Sequence, residues 1–212
     1  MAKNTKKKAK FKEVTFTINK GKFKELLEQV LKNKSNAIGI LNGVKMTAKR
    51  NFLTLVATDG ILLVEVQTQL DDPVTNEIDV VMYGKYLEKM VIKKDFETNK
   101  RSFSLIDFLE ITVQENKVLI VDTRNQIKYN VPIYNTSEQK YPECKKLFKG
   151  KKDDSITFGV NIDLLSRLKG ITKKGIPSKV TVSKDIEDPI EITAQYGEVS
   201  TRALVMPCII RE

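Results

Sequence analysis

Residues 52–67 read Phe-Leu-Thr-Leu-Val-Ala-Thr-Asp-Gly-Ile-Leu-Leu-Val-Glu-Val-Gln and carry the clearest folding signal in the chain. Two runs rich in apolar residues, 52–58 and 61–67, flank the dipeptide Asp59-Gly60. Tight hairpin turns need positive φ angles, which glycine adopts without steric cost. The stretch therefore predicts a β-hairpin and an antiparallel sheet built around it.

The residues before this hairpin predict a strand, a helix and a further strand. Residues 14–18 form a short β-branched and aromatic run, and in residues 44–48 apolar and polar side chains alternate as in a half-buried strand. Between them, apolar residues recur at i, i+3, i+4, i+7 and i+8, the period of an amphipathic helix. These residues are Phe23, Leu26, Leu27, Val30 and Leu31.

The same plan of strand, helix and strands recurs twice. In the second copy a strand at 78–82 precedes a helix pattern of Tyr83, Tyr86, Leu87, Met90 and Val91. The strands predicted after that helix are residues 108–114, 117–122 and 126–133, with a shorter one at 102–105 before them.

The third copy begins with a predicted strand at residues 155–158. Asn161 fits a helix N-cap and Gly170 fits the position after a helix end. Ile162, Leu165 and Leu168 are predicted to line one helix face. The strands predicted after this helix are residues 179–184, 189–195 and 198–209.

The chain thus contains three βαβββ units, which we call the first (14–67), second (78–133) and third (155–209) unit. One amphipathic helix in each unit can cover one sheet face, so the predicted class is α+β, with antiparallel sheets and helices on one face. The predicted domains are a basic, disordered tail at 1–12, a two-unit domain at 13–148 and a half domain at 149–212.

Composition excludes several classes of protein. The 212 residues include no histidine, which rules out Ser-His-Asp and Cys-His catalysis and histidine-ligated metals. No run of 18 apolar residues is present, so no membrane span is expected. Without a secretory signal the cytoplasm is the expected compartment, with Cys144 and Cys208 as free thiols.

The formal net charge of +10 is unevenly placed. Residues 1–12 hold six lysines and no acidic residue, so the remaining residues carry only +4. Such a tail is compatible with a role in solubility and with a flexible arm that contacts phosphates, and both interpretations stay open.

Several passages resemble the DNA polymerase processivity factors called sliding clamps, most closely the bacterial beta-clamp type. Phe16-Thr17-Ile18 with the helix at 23–31 resembles the first strand and helix of a clamp, and residues 53–60 resemble its first hairpin. Residues 158–165 resemble the beginning of the last helix, and Val205-Met206-Pro207 resembles the closing strand. Tyr141-Pro142-Glu143 resembles the motif that ends a clamp domain.

The resemblance implies a non-enzymatic protein that encircles or embraces duplex DNA, with helices inside and sheets outside. It also implies a polymerase or other replication protein, bound through a linear peptide, and assembly into a homo-oligomer. The family has six units per chain in dimers or four in trimers, whereas this chain has three. The shortened chain suggests a phage or mobile element. An alternative is a basic DNA-binding or regulatory protein with a clamp fold that forms no ring.

Basic residues on the three helices are the candidate DNA contacts, because phosphate contacts by lysine and arginine are independent of sequence. A solvated helix face is the competing interpretation. The candidates are Lys22, Lys24, Lys32, Lys85, Lys89, Lys93, Arg167, Lys169, Lys173 and Lys174.

The resemblance also implies an apolar pocket for partner peptides beside the C-terminal strand. An adaptable apolar groove that contains a methionine suits several linear peptides. Ordinary core positions and a turn proline are the competing interpretation. The pocket residues would be Pro142, Leu147, Leu204, Met206 and Pro207.

No other chemistry is indicated as strongly. The chain has no Gly-rich phosphate loop, and we expect no catalytic residue, metal or cofactor. Asp71-Asp72 and Asp153-Asp154 could serve a metal-dependent nuclease, but both pairs lie in predicted loops, where solvated turns are the favoured interpretation.

Overall fold

The structure is a computed structural model that describes residues 12–36, 39–92, 107–144, 162–168, 177–183, 185 and 187–207. The helices are α1 (Lys20–Leu31), α2 (Gly84–Ile92) and α3 (Ile162–Arg167), with a 3-10 turn at Gly39–Asn42. The strands are β1 (Val14–Asn19), β2 (Gly43–Lys49), β3 (Phe52–Thr58), β4 (Leu62–Gln69), β5 (Ile78–Tyr83), β6 (Phe108–Val113), β7 (Lys117–Asp122), β8 (Lys128–Pro132), β9 (Lys179–Thr181), β10 (Ile190–Tyr196) and β11 (Val199–Val205).

The strands form two antiparallel sheets, which confirms the α+β class. One sheet has the order β1-β6-β7-β8, and the other has the order β5-β2-β3-β4-β11-β10-β9. The first two units therefore exchange strands: β1 of the first unit pairs with β6 of the second, and β5 of the second pairs with β2 of the first. This reciprocal exchange joins the two units into one structure.

Helix α1 begins where Asn19 can cap it. The Asn19 side chain accepts hydrogen bonds from the backbone N–H of Gly21 at 2.9 Å and of Lys22 at 3.2 Å. These bonds satisfy donors that have no partner inside the helix. The predicted apolar face, from Phe23 to Leu31, is buried in the main core between the helices and the sheets.

The turn at Asp59-Gly60 has the predicted backbone conformation. Gly60 has φ +96°, and the Asp59 carboxylate accepts from the backbone N–H of Ile61 and Leu62. Gly197, with φ +57°, makes the corresponding turn between β10 and β11. Both turns lie between strands that the sequence predicts.

The third unit joins the first through strand β11. Ser200 to Val205 pair antiparallel with Gln67 to Leu62 of β4, which places β10 and β11 in the same sheet as the first unit. Gln29 of α1 is buried and hydrogen-bonded to Tyr196 and Thr201 of this hairpin. Non-local pairing of this kind could not be read from the spacing of residues along the chain.

The predicted apolar face of α3 is partly wrong. Leu164 and Leu168 are each 8% exposed and lie in the main core, whereas Leu165 is 38% exposed. The side chain of Ile162 lies outside the described residues, as do Asn161, Gly170 and the predicted strands at 102–105 and 155–158. Leu164 and Leu168 are four residues apart and therefore lie on the same side of the helix, and this side faces the main core.

A buried ion pair ties the start of α1 to the end of β7. Lys20 Nζ lies 2.7 Å from Asp122 Oδ2, and both side chains are almost fully buried. Asp122 also accepts from the backbone of Arg124 and Asn125 and from the Asn125 side chain. The pair therefore connects a helix of the first unit with a turn of the second.

Within the described residues, every helix is too short or too polar to cross a bilayer.

Candidate functional site

A second apolar cluster lies on the sheet face opposite to the helices. Strand β3 sends Leu53, Leu55 and Ala57 into the main core beside α1, so its alternate residue Val56 points to the other face. The second cluster contains Ile40, Val56, Leu63, Val81, Tyr141, Cys144 and Leu204, with Leu41 and Tyr134 packed against it. We call this face, away from the helices, the outer face.

The Tyr-Pro-Glu segment is anchored in this outer-face cluster. Tyr141 is buried, and its hydroxyl donates to the backbone carbonyl of Val56 at 3.3 Å. The carbonyl of Pro142 accepts from the backbone N–H of Cys144 at 2.9 Å and from its thiol at 3.2 Å. Pro142 itself is half-buried between two anchored neighbours.

Burial also changes the acidity of both anchoring side chains. It raises the pKa of the Cys144 thiol to about 11 and raises the pKa of the Tyr141 hydroxyl. Both groups are therefore neutral near pH 7, as an apolar cluster requires. Cys144 is a free cysteine, as the sequence suggested, and Cys208 lies outside the described residues.

Strand β11 brings the closing segment to the same cluster. Leu204 pairs in register with Leu63 of β4, and both are buried there. Beyond the strand, the backbone N–H of Met206 donates to the carbonyl of Ile61 at 3.4 Å. Met206 is 40% exposed and Ile61 is 52% exposed, so two large apolar side chains lie uncovered beside the cluster.

Four of the five pocket candidates therefore lie in segments that the structure describes. Leu204 is buried in the cluster, Pro142 and Pro207 are half-buried, and Met206 is exposed. Leu147 lies outside the described residues. The positions of these residues do not test whether they bind a peptide, so the pocket stays a prediction.

Sequence reasoning missed two neighbouring residues. The apolar pattern assigns Ile61 to a strand, and Leu41 belongs to no motif. A Cβ atom at Gly60 would lie 4.0 Å from Leu41, which places Leu41 under the hairpin turn. A large apolar residue directly after an Asp-Gly turn was the available signal for Ile61.

An ion pair links the third unit to this hairpin. Arg167 of α3 lies 2.5 Å from Asp59 Oδ2, while Asp59 Oδ1 caps the turn. Burial alone would raise the pKa of the Asp59 carboxyl. Hydrogen bonds from Leu62, Arg167 and Ile61 lower this pKa by more, so it lies below its usual value. The carboxylate therefore stays charged at neutral pH and supports the turn.

The basic candidates on the helices have different surroundings. Lys32, Lys85 and Lys89 are exposed, and Lys85 Nζ lies 5.4 Å from the centre of the Tyr86 ring. Lys22 pairs with Glu198, and Lys24 lies 4.0 Å from Glu28. Arg167 pairs with Asp59. Lys93, Lys169, Lys173 and Lys174 lie outside the described residues.

Acidic residues form no metal site in the described ranges, where no three potential ligands come together. Asp71 and Asp72 are exposed in the turn after β4, and Asp153 and Asp154 lie outside those ranges.

Solved structures with this fold are sliding clamps. The chain aligns with the DNA polymerase III beta subunit of Thermotoga maritima at a TM-score of 0.66 and 15% identity, covering 100% of this chain and 70% of that one. A. fulgidus PCNA, solved with the C-terminal region of FEN-1 bound, aligns at a TM-score of 0.66 and 13% identity, covering 94% of this chain and 100% of that one. At sequence identities this low, the structural similarity shows the fold of the chain and no more.

The family follows from the sequence match. The family "DNA polymerase III beta subunit, N-terminal domain" matches residues 14–144, well over half of the chain. The chain therefore belongs to the DNA polymerase III beta subunit family. It spans only about half of the putative beta subunit of Eubacterium rectale: at a TM-score of 0.56 and 12% identity, the alignment covers 96% of this chain and 53% of that one. No curated protein sequence matches the chain.

Proposed function

We propose that the protein is a non-enzymatic, clamp-like processivity factor of DNA replication that embraces duplex DNA and docks a polymerase. The observation that carries the proposal is the two-sided architecture of a beta-subunit family member. Helices with exposed lysines cover one face of the sheets, and an apolar cluster bordered by exposed Ile61 and Met206 lies on the other.

The helix side suits loose contact with duplex DNA. Lys32, Lys85 and Lys89 present exposed ammonium groups, which bind phosphates without reading sequence and exchange with counterions. Such contacts hold a duplex and still permit sliding along it. The other basic candidates on the three helices belong to the same proposal.

The outer face suits a linear peptide. Proteins recognise short apolar motifs with grooves that already exist, and methionine adapts to different partners. The C-terminal region of FEN-1 bound to A. fulgidus PCNA is a partner segment of this kind on a clamp fold. We assign the groove to Pro142, Leu147, Leu204, Met206 and Pro207, and add Leu41 and Ile61.

The remaining parts of the proposal concern organisation. A two-unit domain at 13–148 and a half domain at 149–212, preceded by a basic tail, would assemble as a homo-oligomer in the cytoplasm. We place this organisation in a phage or mobile element.

Retention on circular DNA tests this function. The protein is loaded on a nicked circular plasmid and separated from free protein by gel filtration at moderate salt, before and after the plasmid is linearised. A clamp stays on the circle and runs off the linear ends. Equal retention on both forms would overturn the proposal in favour of a DNA-binding protein that forms no ring.

A further inference from the structure

Helix α2 carries an acidic residue among its exposed lysines. The buried residues Leu87 and Met90 turn one side of α2 toward the main core. On the other side, Lys85, Glu88 and Lys89 lie within about one turn of each other. Taken alone, this side would offer two positive charges and one negative charge, and the negative charge would repel a phosphate backbone. The attraction of α2 for phosphates therefore depends on what balances Glu88.

A buried lysine of the first unit balances Glu88. Lys34 lies just after α1, and its Nζ is 3.1 Å from Glu88 Oε1. The side chain of Lys34 is only 3% exposed, whereas that of Glu88 is 40% exposed. The pair therefore cancels the charge of an acid at the surface with a cation that is itself withdrawn from the surface.

The Lys34 ammonium is held in place from several directions. A Cβ atom at Gly84 would lie 2.4 Å from the Asn42 carbonyl oxygen and 2.5 Å from Lys34 Cδ. The lysine stem thus crosses the start of α2 at a position where only glycine fits. Lys34 Nζ also donates to Asn36 Oδ1 at 3.0 Å. A buried ammonium needs an anionic partner, and the acid on α2 supplies it.

The pair lies within the face that we assign to DNA. Helices α1 and α2 pack against each other, and exposed lysines lie at the end of α1 (Lys32) and on α2 (Lys85 and Lys89). Glu88 lies among these lysines at the surface, while the charge of Lys34 is buried. A carboxylate left uncompensated at this place would repel the same phosphates that the lysines attract.

We propose that Lys34 is a positioning residue of the DNA-binding face, which acts through Glu88 and does not contact DNA itself. By holding and neutralising the Glu88 carboxylate, Lys34 leaves Lys85 and Lys89 to attract phosphates without a competing repulsion. This role rests on the proposed function, since duplex DNA must lie on the helix side for the charge of Glu88 to matter. Lys34 lies on no helix, so the helix patterns of the sequence do not point to it.

Duplex DNA binding by the full chain, measured by fluorescence anisotropy, tests this role with Lys34→Met. Methionine keeps an apolar stem over Gly84 and removes the charge, so circular dichroism should show an unchanged fold. We expect Lys34→Met to lower the affinity about 3- to 10-fold at low salt, because an uncompensated Glu88 then repels nearby phosphates. The loss should shrink at high salt, where this repulsion is screened.

Two control variants separate this role from a loss of net charge and from a loss of packing. Lys45 Nζ lies 3.1 Å from Asp79 Oδ1 on the outer face, so Lys45→Met breaks a pair of equal length and should leave the affinity unchanged. Lys34→Met/Glu88→Gln removes both charges of the buried pair and should restore the wild-type affinity. A purely structural lysine would leave this double variant as weak as Lys34→Met, at low and high salt alike.

An unchanged affinity for Lys34→Met, or an equal loss for Lys45→Met, would overturn the role of Lys34. A double variant that binds more tightly than wild type would also overturn it, since Glu88 would then act uncompensated in the wild type. The DNA face fails by a different result: if Lys85→Gln/Lys89→Gln left the salt dependence of binding unchanged, that face and the role of Lys34 would both be refuted. If that variant behaves as expected and Lys34→Met does not, the role of Lys34 fails alone.

Discussion

Met206 and Ile61 are the residues on which the peptide-binding part of the proposal depends most directly. Their backbones are hydrogen-bonded, and both leave large apolar side chains exposed next to a buried cluster. Apolar side chains at the rim of a groove contribute most when a partner covers them fully. Removing one of them should therefore affect binding much more than folding.

We predict that Met206→Ala weakens binding of a labelled replicative-polymerase tail peptide by about 1–2 kcal/mol, roughly 5- to 30-fold in the dissociation constant. Fluorescence anisotropy measures the affinity. Thermal unfolding should change little, because Met206 is already 40% exposed. The matched control is Phe52→Ala. Phe52 is similarly exposed, but it lies at the start of β3, whereas Ile61 and Met206 lie near the turn that follows the end of β3. Equal affinities of wild type and Met206→Ala would refute the assignment.

The buried pair of Lys20 and Asp122 concerns stability. Lys20→Met leaves the Asp122 carboxylate buried without its cation, which should lower the free energy of unfolding by about 3–5 kcal/mol. Urea denaturation measures the loss. Lys49→Met is the control, because its pair with Glu77 is exposed and should cost less than about 1 kcal/mol. Similar losses for both variants would contradict the prediction.

Asp122 also predicts a dependence on pH. Burial raises the pKa of its carboxyl, but hydrogen bonds from Lys20 and Asn125 outweigh burial, so the pKa in the folded protein lies below that in the unfolded chain. The carboxylate therefore stabilises the fold above its unfolded pKa, and this contribution is lost as the pH falls through the folded pKa. Asp122→Asn should show a shallower loss of stability in acid than wild type in urea titrations. An identical acid profile would exclude this role.

Among the elements, α2 carries two exposed lysines on the helix side. Lys85 and Lys89 have counterparts on β2, where Lys45 and Lys49 alternate with the core residues Met46 and Ala48 and so lie on the outer face. The two pairs carry the same charge on opposite faces of the molecule. Replacing either pair removes the same charge, so the helix side and the outer face can be compared in two variants of equal net charge.

We predict that Lys85→Gln/Lys89→Gln reduces the salt dependence of duplex DNA binding, by about 0.9 in log–log slope for each phosphate that the protein no longer neutralises. Binding is measured by anisotropy over a series of salt concentrations. Lys45→Gln/Lys49→Gln should leave the slope close to that of wild type. The reverse result would place DNA on the outer face and contradict the arrangement proposed for the helices.

For the whole molecule, net charge should control the rate of encounter with DNA. Removing residues 1–12 deletes six lysines and lowers the formal charge from +10 to +4. Because long-range attraction is screened by salt, the truncation should slow association at low salt and have little effect at high salt. Stopped-flow fluorescence measures both rates. A tail that serves only solubility would leave the low-salt rate unchanged.

The elements were predictable where the signal is local. The apolar period of α1 and the Asp59-Gly60 turn each lie within a few residues, and both appear as expected. In α3 the short apolar run allowed two faces, and only packing against the core selected Leu164 over Leu165. Ile61 was missed because its importance comes from Met206, which is far away in the chain.

Sequence by itself determined the class, the three repeated units and the resemblance to sliding clamps, because periodicity, turn residues and motif order are properties of neighbouring residues. Tertiary structure decided which strands exchange, that β11 extends the sheet at β4, and that the Tyr-Pro-Glu segment and the closing strand share one cluster. Those outcomes depend on hydrogen bonds and apolar burial between residues that are far apart in the chain, such as Leu63 and Leu204.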